Sequence, residues 1–186
     1  MRDYNTITDV GFEFVDGLEN PSGLGEEAFL IRVSDLQTEG LPVESGTTSA
    51  SLVTILADHV LKAGKHAIPV NILFDKSGSE FKSSGEELSK LFETSVTLLC
   101  PQVSAEKLGG ATAIKNSRFL VMIRRLGQNT GFWQIGTKGS SAKVQDITGG
   151  FGTGATAEVG IKIVLKAFSL VPMYDYQGEL PTPAGA

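Results

Sequence analysis

The clearest pattern in the chain is an alternation near its C-terminal end. From Ala157 onward every second residue is apolar (Ala157, Val159, Ile161, Ile163, Leu165, Ala167), with Glu158, Lys162 and Lys166 between them. A period of two marks a strand with one buried face. Taken as one strand, Ala155–Val171 would span roughly 55 Å at about 3.3 Å per residue. A compact chain of this length is only about 40 Å across. Such a strand must curve, break at Gly160, or project from its own domain. Val159, Ile161, Ile163 and Leu165 are expected in the core.

Its expected partner is Arg118–Thr137. Within Arg118–Leu126, Phe119, Val121 and Ile123 occupy one face and Leu120 and Met122 the other, so this strand should be covered on both sides. Gly127–Gly131 is a glycine-containing hairpin loop, with Phe132–Ile135 returning antiparallel. Phe92–Cys100 alternates in the same way and stops at Pro101. Shorter strands are predicted at Val10–Val15, with Phe12 and Phe14 on one side, and at Ala28–Val33, Ala67–Phe74, Glu80–Lys82 and Lys143–Ile147. Pro69 places the Ala67–Phe74 strand at an edge. Asp16-Gly17, Asn20–Gly25 and Asp75–Gly78 read as turns or loops, and Thr38–Ser51 as a linker.

Two segments carry helical signals. In Leu52–Lys65 the residues Leu52, Ile55, Leu56, His59, Val60 and Ala63 form an i, i+3, i+4, i+7 stripe, with Gly64 placed as a C-cap. The same stretch also reads as two short strands, Leu52–Leu56 and His59–Leu61, around an Ala57-Asp58 turn; the stripe favours the helix. Ser104–Lys115 has Ser104 as N-cap and Glu106 in the first turn, with Gly109-Gly110 expected to end it early. The tail from Pro172 to Ala186 holds three prolines, so it is expected to be extended and mobile unless a neighbour binds it.

Together these elements predict a mainly β fold: a β-sandwich or barrel of antiparallel strands with one or two short helices and extended terminal arms. The expected division is an acidic N-terminal region, 1–50, partly integrated with a β-rich core, 51–171, and a Pro/Gly-rich tail, 172–186. The 22 glycines fit many turns. A single cysteine, Cys100, rules out an intrachain disulfide framework and a cysteine-based zinc site. No apolar run reaches membrane-spanning length, and Met1–Tyr4 lacks a signal-peptide core, so use without secretion is expected.

Charge is uneven. Residues 1–50 hold two basic and ten acidic residues, net −8; the rest hold 14 basic and 11 acidic, net +3, giving −5 overall. The acidic region is either a solvated terminus or a segment that docks on the more basic body of another subunit. A net-negative chain argues against tight, sequence-independent nucleic-acid binding.

Candidate chemistry is sparse. Gly149–Gly154 resembles a phosphate loop only in composition: a period-two strand follows it instead of a helix, and it lacks Gly-Lys-Ser/Thr. His59 and His66 lack the spacing of a helical metal pair, and His59 suits a core or interface position. Cys100 suits a buried thiol. Glu86-Glu87 and Arg124-Arg125 read as solvated faces, and Trp133 as core or interface packing. No catalytic, cofactor-binding or metal-ligating residue is assigned, and no cofactor is expected.

The order of pieces carries a resemblance. Gly64-Lys65 leads to Phe74, Phe92–Pro101 ends in CPQ, Ser104–Asn116 intervenes, and RFLVMIRRLGQNTGFWQIGT is followed by a glycine-rich connection and a long strand closing on YDYQGE. Over about residues 50–178 the chain resembles the tail-tube class of phage structural proteins, in particular the divergent versions from phages of Bacteroidetes hosts. The resemblance implies a non-enzymatic virion protein, assembled in the bacterial cytoplasm. Its subunits close head-to-tail into rings, typically hexamers, stacked around a DNA channel. Implied partners are other copies of the chain and other tail or virion proteins; DNA passes through the lumen without specific binding, and no membrane is involved. The candidate ties between subunits are residues 1–50, residues 75–90 and the tail, while Glu158, Lys162 and Lys166 would face a lumen, a sheath or a neighbour. The resemblance also favours strands at 52–65. A tail terminator, head–tail connector or capsid decoration protein is the alternative, and a small-molecule-binding β-barrel a further one, which an enclosed apolar pocket would favour.

Overall fold

The computed structural model describes residues 7, 11–13, 15–17, 20–42, 46–153 and 158–180. The chain is mainly β. The strands are β1 (Leu24–Arg32), β2 (Leu36–Thr38), β3 (Thr54–Ile55), β4 (Val60–Leu61), β5 (Ile68–Asn71) and β6 (Gly78–Ser84), then β7 (Leu91–Pro101), β8 (Arg118–Arg125), β9 (Phe132–Ile135), β10 (Ala142–Gly150), β11 (Gly160–Ser169) and β12 (Tyr174–Tyr176). One helix, α1 (Ala105–Ile114), joins β7 to β8.

The sheet is organised on β8. Phe119–Ile123 are all buried, as the two-sided apolar run predicts. One edge of β8 pairs with β1; the other is shared, β10 taking Arg118 and Phe119 while β9 takes Val121–Ile123. The sheet therefore forks. One branch runs β8-β10-β11-β7-β6 and the other β8-β9-β12-β3, with β5 beyond β1, making ten strands in all. Among the described residues all pairings are antiparallel except β12 with β3, and β2 and β4 form a separate two-stranded sheet.

The alternation on β1 and β8 divides the core. Ala28, Leu30, Phe119, Val121 and Ile123 face a larger cluster with Val96, Leu98, Ile161, Ile163 and Leu165. Ile31, Leu120 and Met122 face a smaller one with Ile55, Phe132 and Tyr176. Each fully buried large aliphatic side chain contributes about 1.5–3 kcal/mol of transfer free energy, so both faces of β8 are stabilising.

Several expectations change. The long strand is ten residues, Gly160–Ser169, about 33 Å, and fits its domain. Residues 154–157 lie outside the described ones, and Val159, expected in the core, is 41 % exposed. The strand begins at Gly160, where β7 approaches too closely for a side chain: a Cβ there would lie 2.5 Å from the Cys100 carbonyl oxygen.

The helix favoured for Leu52–Lys65 does not form. A single 3-10 turn, Ala50–Leu52, leads into β3 and later β4, and Gly64 sits in a turn. The two strands do not pair with each other; β3 joins β12 and β4 joins β2. The stripe recorded burial of Ile55 and His59 by distant strands, not a helical face.

The tail also departs from expectation, since β12 is a sheet strand and Tyr176 is fully buried; residues 181–186 lie outside the described ones. α1 keeps the predicted Ser104 cap, whose Oγ accepts from Lys107 N–H, but continues through Gly109-Gly110. Each helical glycine costs about 1 kcal/mol relative to alanine; the continuation carries Ile114 into the larger cluster.

In the N-terminal region, β1 begins at Leu24, shortening the Asn20–Gly25 loop, and is a central strand. Of the predicted Val10–Val15 strand, Val10 and Phe14 lie outside the described residues, and Gly11–Glu13 and Val15 are not in a strand. The Thr38–Ser51 linker is tied down in part: Glu39 Oε1 accepts from Lys138 N–H at 2.8 Å, and Gly40 is buried.

Candidate interaction surface

Candidate chemistry meets structure first at His59, which is 3 % exposed. Gly40 N–H donates to its Nδ1 at 3.1 Å, so the ring proton sits on Nε2, which donates to Gln134 Oε1 at 2.8 Å. Gln134 Nε2 in turn donates to the Gly136 carbonyl. The Tyr176 ring stacks on the imidazole with centroids 4.5 Å apart; its hydroxyl accepts from His59 N–H at 3.0 Å and donates to the Glu179 carbonyl at 2.8 Å. Asp58 Oδ1 accepts from Glu179 N–H, which closes the segment after β12 onto that before β4. Burial holds the His59 pKa below its ordinary value, with the Gln134 bond and the Asp58 charge opposing the shift. Every polar atom of the His59 and Gln134 side chains has a partner. The cluster is a latch between β9, β12 and the 52–61 segment.

The remaining candidates stay apart. His66 is exposed. Cys100 is half-buried, and desolvation pushes its thiol above the ordinary value against the opposing charge of Lys107, so it is not an activated nucleophile. Gly149 and Gly150 belong to β10, and the strand β11 follows the loop. Glu86 and Glu87 are exposed, as expected of a solvated face. Arg124 is half-buried, and its guanidinium lies 4.1 Å from the Phe132 ring centroid. Arg125 donates to Asn20 Oδ1 at 2.5 Å. Among the described residues no group of three or more His, Cys, Asp or Glu is placed to hold a metal, and no helix is long and apolar enough to cross a membrane.

The outward face of the β10-β11-β7-β6 branch is charged. Arg118, Lys143 and Lys166 are register partners in one row across β8, β10 and β11. Lys166 Nζ lies 2.7 Å from a Glu93 carboxylate oxygen, Lys82 Nζ lies 3.6 Å from the same oxygen, and Glu158 pairs with Lys76. Lys162 is exposed.

The opposite character appears where this branch ends. Strand β6, seven residues without proline, pairs among the described residues with β7 alone, so its other edge has no described strand partner. Phe81, 56 % exposed, meets Phe92 edge-on at 6.0 Å and borders an open groove of about 480 Å³ with Leu24, Ile123, Trp133 and Met173. Trp133 Nε1 and Arg32 Nε are buried side-chain donors with no acceptor among the described residues. Beyond β6 the chain turns at Gly85, where a Cβ would lie 2.5 Å from the Ser89 carbonyl oxygen. Leu88, at φ 63°, is then held 100 % exposed. A left-handed, fully solvated leucine is an uncommon cost for a soluble surface.

The residues that define these two regions were not prominent in the sequence. Gln134 shows only as the polar residue in Phe132–Ile135, Tyr176 as part of a tail, Phe81 as the middle of the short Glu80–Lys82 strand, and Leu88 only within residues 75–90. No protein-family model, curated protein or solved structure matches the chain.

Proposed function

We propose that the protein is a non-enzymatic virion structural protein, a self-assembling tail-tube subunit whose rings stack around a DNA channel. The observation that carries this reading is the β6 edge, which has no strand partner among the described residues and is flanked by a largely apolar groove and a hairpin tip bearing exposed Leu88. Unpaired edges and contiguous apolar surface are features that assembling chains use and monomers suppress. Support also comes from the resemblance over residues 50–178 and from the His59 cluster, whose polar groups are spent on internal hydrogen bonds. Head-to-tail contacts of this kind close into rings when the rotation permits. A channel must release DNA, so the cationic row of Arg118, Lys143 and Lys166 is assigned to a neighbour or sheath and not to the lumen. The purified full chain is expected to form rings or tubes in negative-stain microscopy. A strictly monomeric species at high concentration, indifferent to other tail proteins, overturns the reading.

A further inference from the structure

We infer that two copies of this chain pair through the outer edges of β6, antiparallel about a two-fold axis at Phe81, so that one sheet continues into the next. The inference goes beyond the tube reading, because it rests on the β6 strand alone.

On one side β6 is paired with β7, and no described residue pairs with its other side. Residues 80–83 are all exposed. An edge of this kind is a template for another strand. Its two faces are set by β7. Ser79 and Phe81 are register partners of buried Val96 and Thr94 and lie on the groove face. Glu80 and Lys82 are partners of Ser95 and Glu93 on the charged face, where Glu80 Oε1 accepts from Ser95 Oγ and Lys82 Nζ lies 3.6 Å from the Glu93 carboxylate.

The strand reads Gly-Ser-Glu-Phe-Lys-Ser-Ser, and its charges are arranged to meet their own copy. A two-fold axis normal to the sheet leaves every side chain on its own face, so facing residues are an even number apart. With the axis at Phe81, the midpoint of Gly78–Ser84, all seven residues find a partner. Glu80 of each copy then faces Lys82 of the other, so the ion pair forms twice, while Phe81 faces Phe81 beside the groove and Ser79 faces Ser83. Opposite charges directly across a strand pair are stabilising and like charges destabilising. Moving the axis by one residue sets Glu80 against Glu80 or Lys82 against Lys82 and shortens the overlap. Charge and strand length therefore select the same register. Carried past the strand, that register brings Leu88 of one copy, fully exposed, to the level of Phe74 of the other, which is 47 % exposed in the 3-10 turn Phe74–Lys76. A two-fold contact closes at two copies, and it holds the β6 edge out of head-to-tail growth until another strand displaces it.

Charge reversal tests this, read by sedimentation equilibrium of the full chain at low salt, where surface charges are least screened, over a concentration series that ends below ring formation. The parent is expected to show a monomer–dimer equilibrium. Each reversal acts twice in the pair, so Glu80→Lys and Lys82→Glu should each raise the dimer dissociation constant by about tenfold or more. Mixing the two single variants should bring it back to within about threefold of the parent, because each copy then faces its opposite, and the double variant Glu80→Lys/Lys82→Glu should recover in the same way. Thermal unfolding that matches the parent's establishes that each variant is folded; Glu80→Gln or Lys82→Gln replaces a reversal that does not fold, and should weaken the dimer by a smaller factor. A parent that passes from monomer to rings with no dimer overturns the pairing and leaves the tube reading standing. A dimer indifferent to the reversals, or single variants that do not rescue each other, overturns the pairing as well. A dimer with this charge pattern in a chain that never forms rings or tubes supports the pairing and sinks the tube reading.

Discussion

Trp133 and Gln134 are neighbours on β9 and point to opposite faces of the same sheet, yet their surroundings could hardly differ more. Gln134 is fully buried with both amide atoms bonded, to His59 and to the Gly136 carbonyl. Trp133 borders an open groove with its indole N–H unpartnered among the described residues. Leaving a buried polar group unsatisfied costs about 1–3 kcal/mol. One face has been brought to completion within the chain; the other carries a donor unmet among the described residues beside exposed apolar surface. A finished interior and an unfinished surface, one residue apart, are what a folded unit made to be joined would present.

The largest test of that contrast is Tyr176→Ala. Removing a buried aromatic ring costs about 3–5 kcal/mol, and here it also strips the stacking partner and an acceptor from His59. Urea denaturation is expected to show a loss in that range, and a loss below about 1 kcal/mol would mean that the latch is dispensable. Gln134→Leu should come next, with about 1–3 kcal/mol lost because His59 Nε2 and the Gly136 carbonyl lose their partner.

His59 adds a pH signature. Its folded-state pKa is lowered by burial, so below about 6.5 the unfolded chain takes up the proton first. Stability should be unaffected by this group above that value and should fall as pH drops from about 6.5 towards the folded-state pKa. Denaturation of His59→Asn beside the parent, from neutral to mildly acidic pH, should show the smaller slope in the variant. Equal slopes would assign the acid sensitivity elsewhere. The smallest effect on folding is expected at the other face. Phe81→Ser should change monomer stability by no more than about 0.5 kcal/mol, as an exposed position does, while abolishing rings or tubes in microscopy. Tubes indistinguishable from the parent's would remove Phe81 from the assembly surface.

The same contrast explains what could be read from the chain before its structure. The β8–β9 hairpin was legible because its signals are local: a two-sided apolar run, a glycine loop and a return strand. The Ser104 cap was legible for the same reason. The 52–65 segment misled because Ile55 and His59 are buried by residues far away in sequence, Tyr176 lying 117 positions from His59; a burial pattern three and four residues apart does not say what does the burying. Tyr174–Tyr176 looked like tail because three residues hold no strand signal without β9 and β3 to receive them. The groove was hidden for a further reason, since Leu24, Phe81, Ile123, Trp133 and Met173 come from five separate stretches.

The parallel pairing of β12 with β3 has a consequence for synthesis. Asp175 and Tyr176 lie opposite Thr54 and Ile55, so a segment waits for one made much later in the chain. A growing chain can pair β1 with β8 before β12 is made, but Ile55, His59 and Gln134 stay uncovered until residues 174–179 emerge. Non-local closure of this kind is slow and leaves apolar surface open in the interval. Synthesis of β12 thereby becomes a checkpoint: a product truncated before Tyr174 lacks the strand that covers the smaller cluster and should be recognised as unfolded by proteolysis.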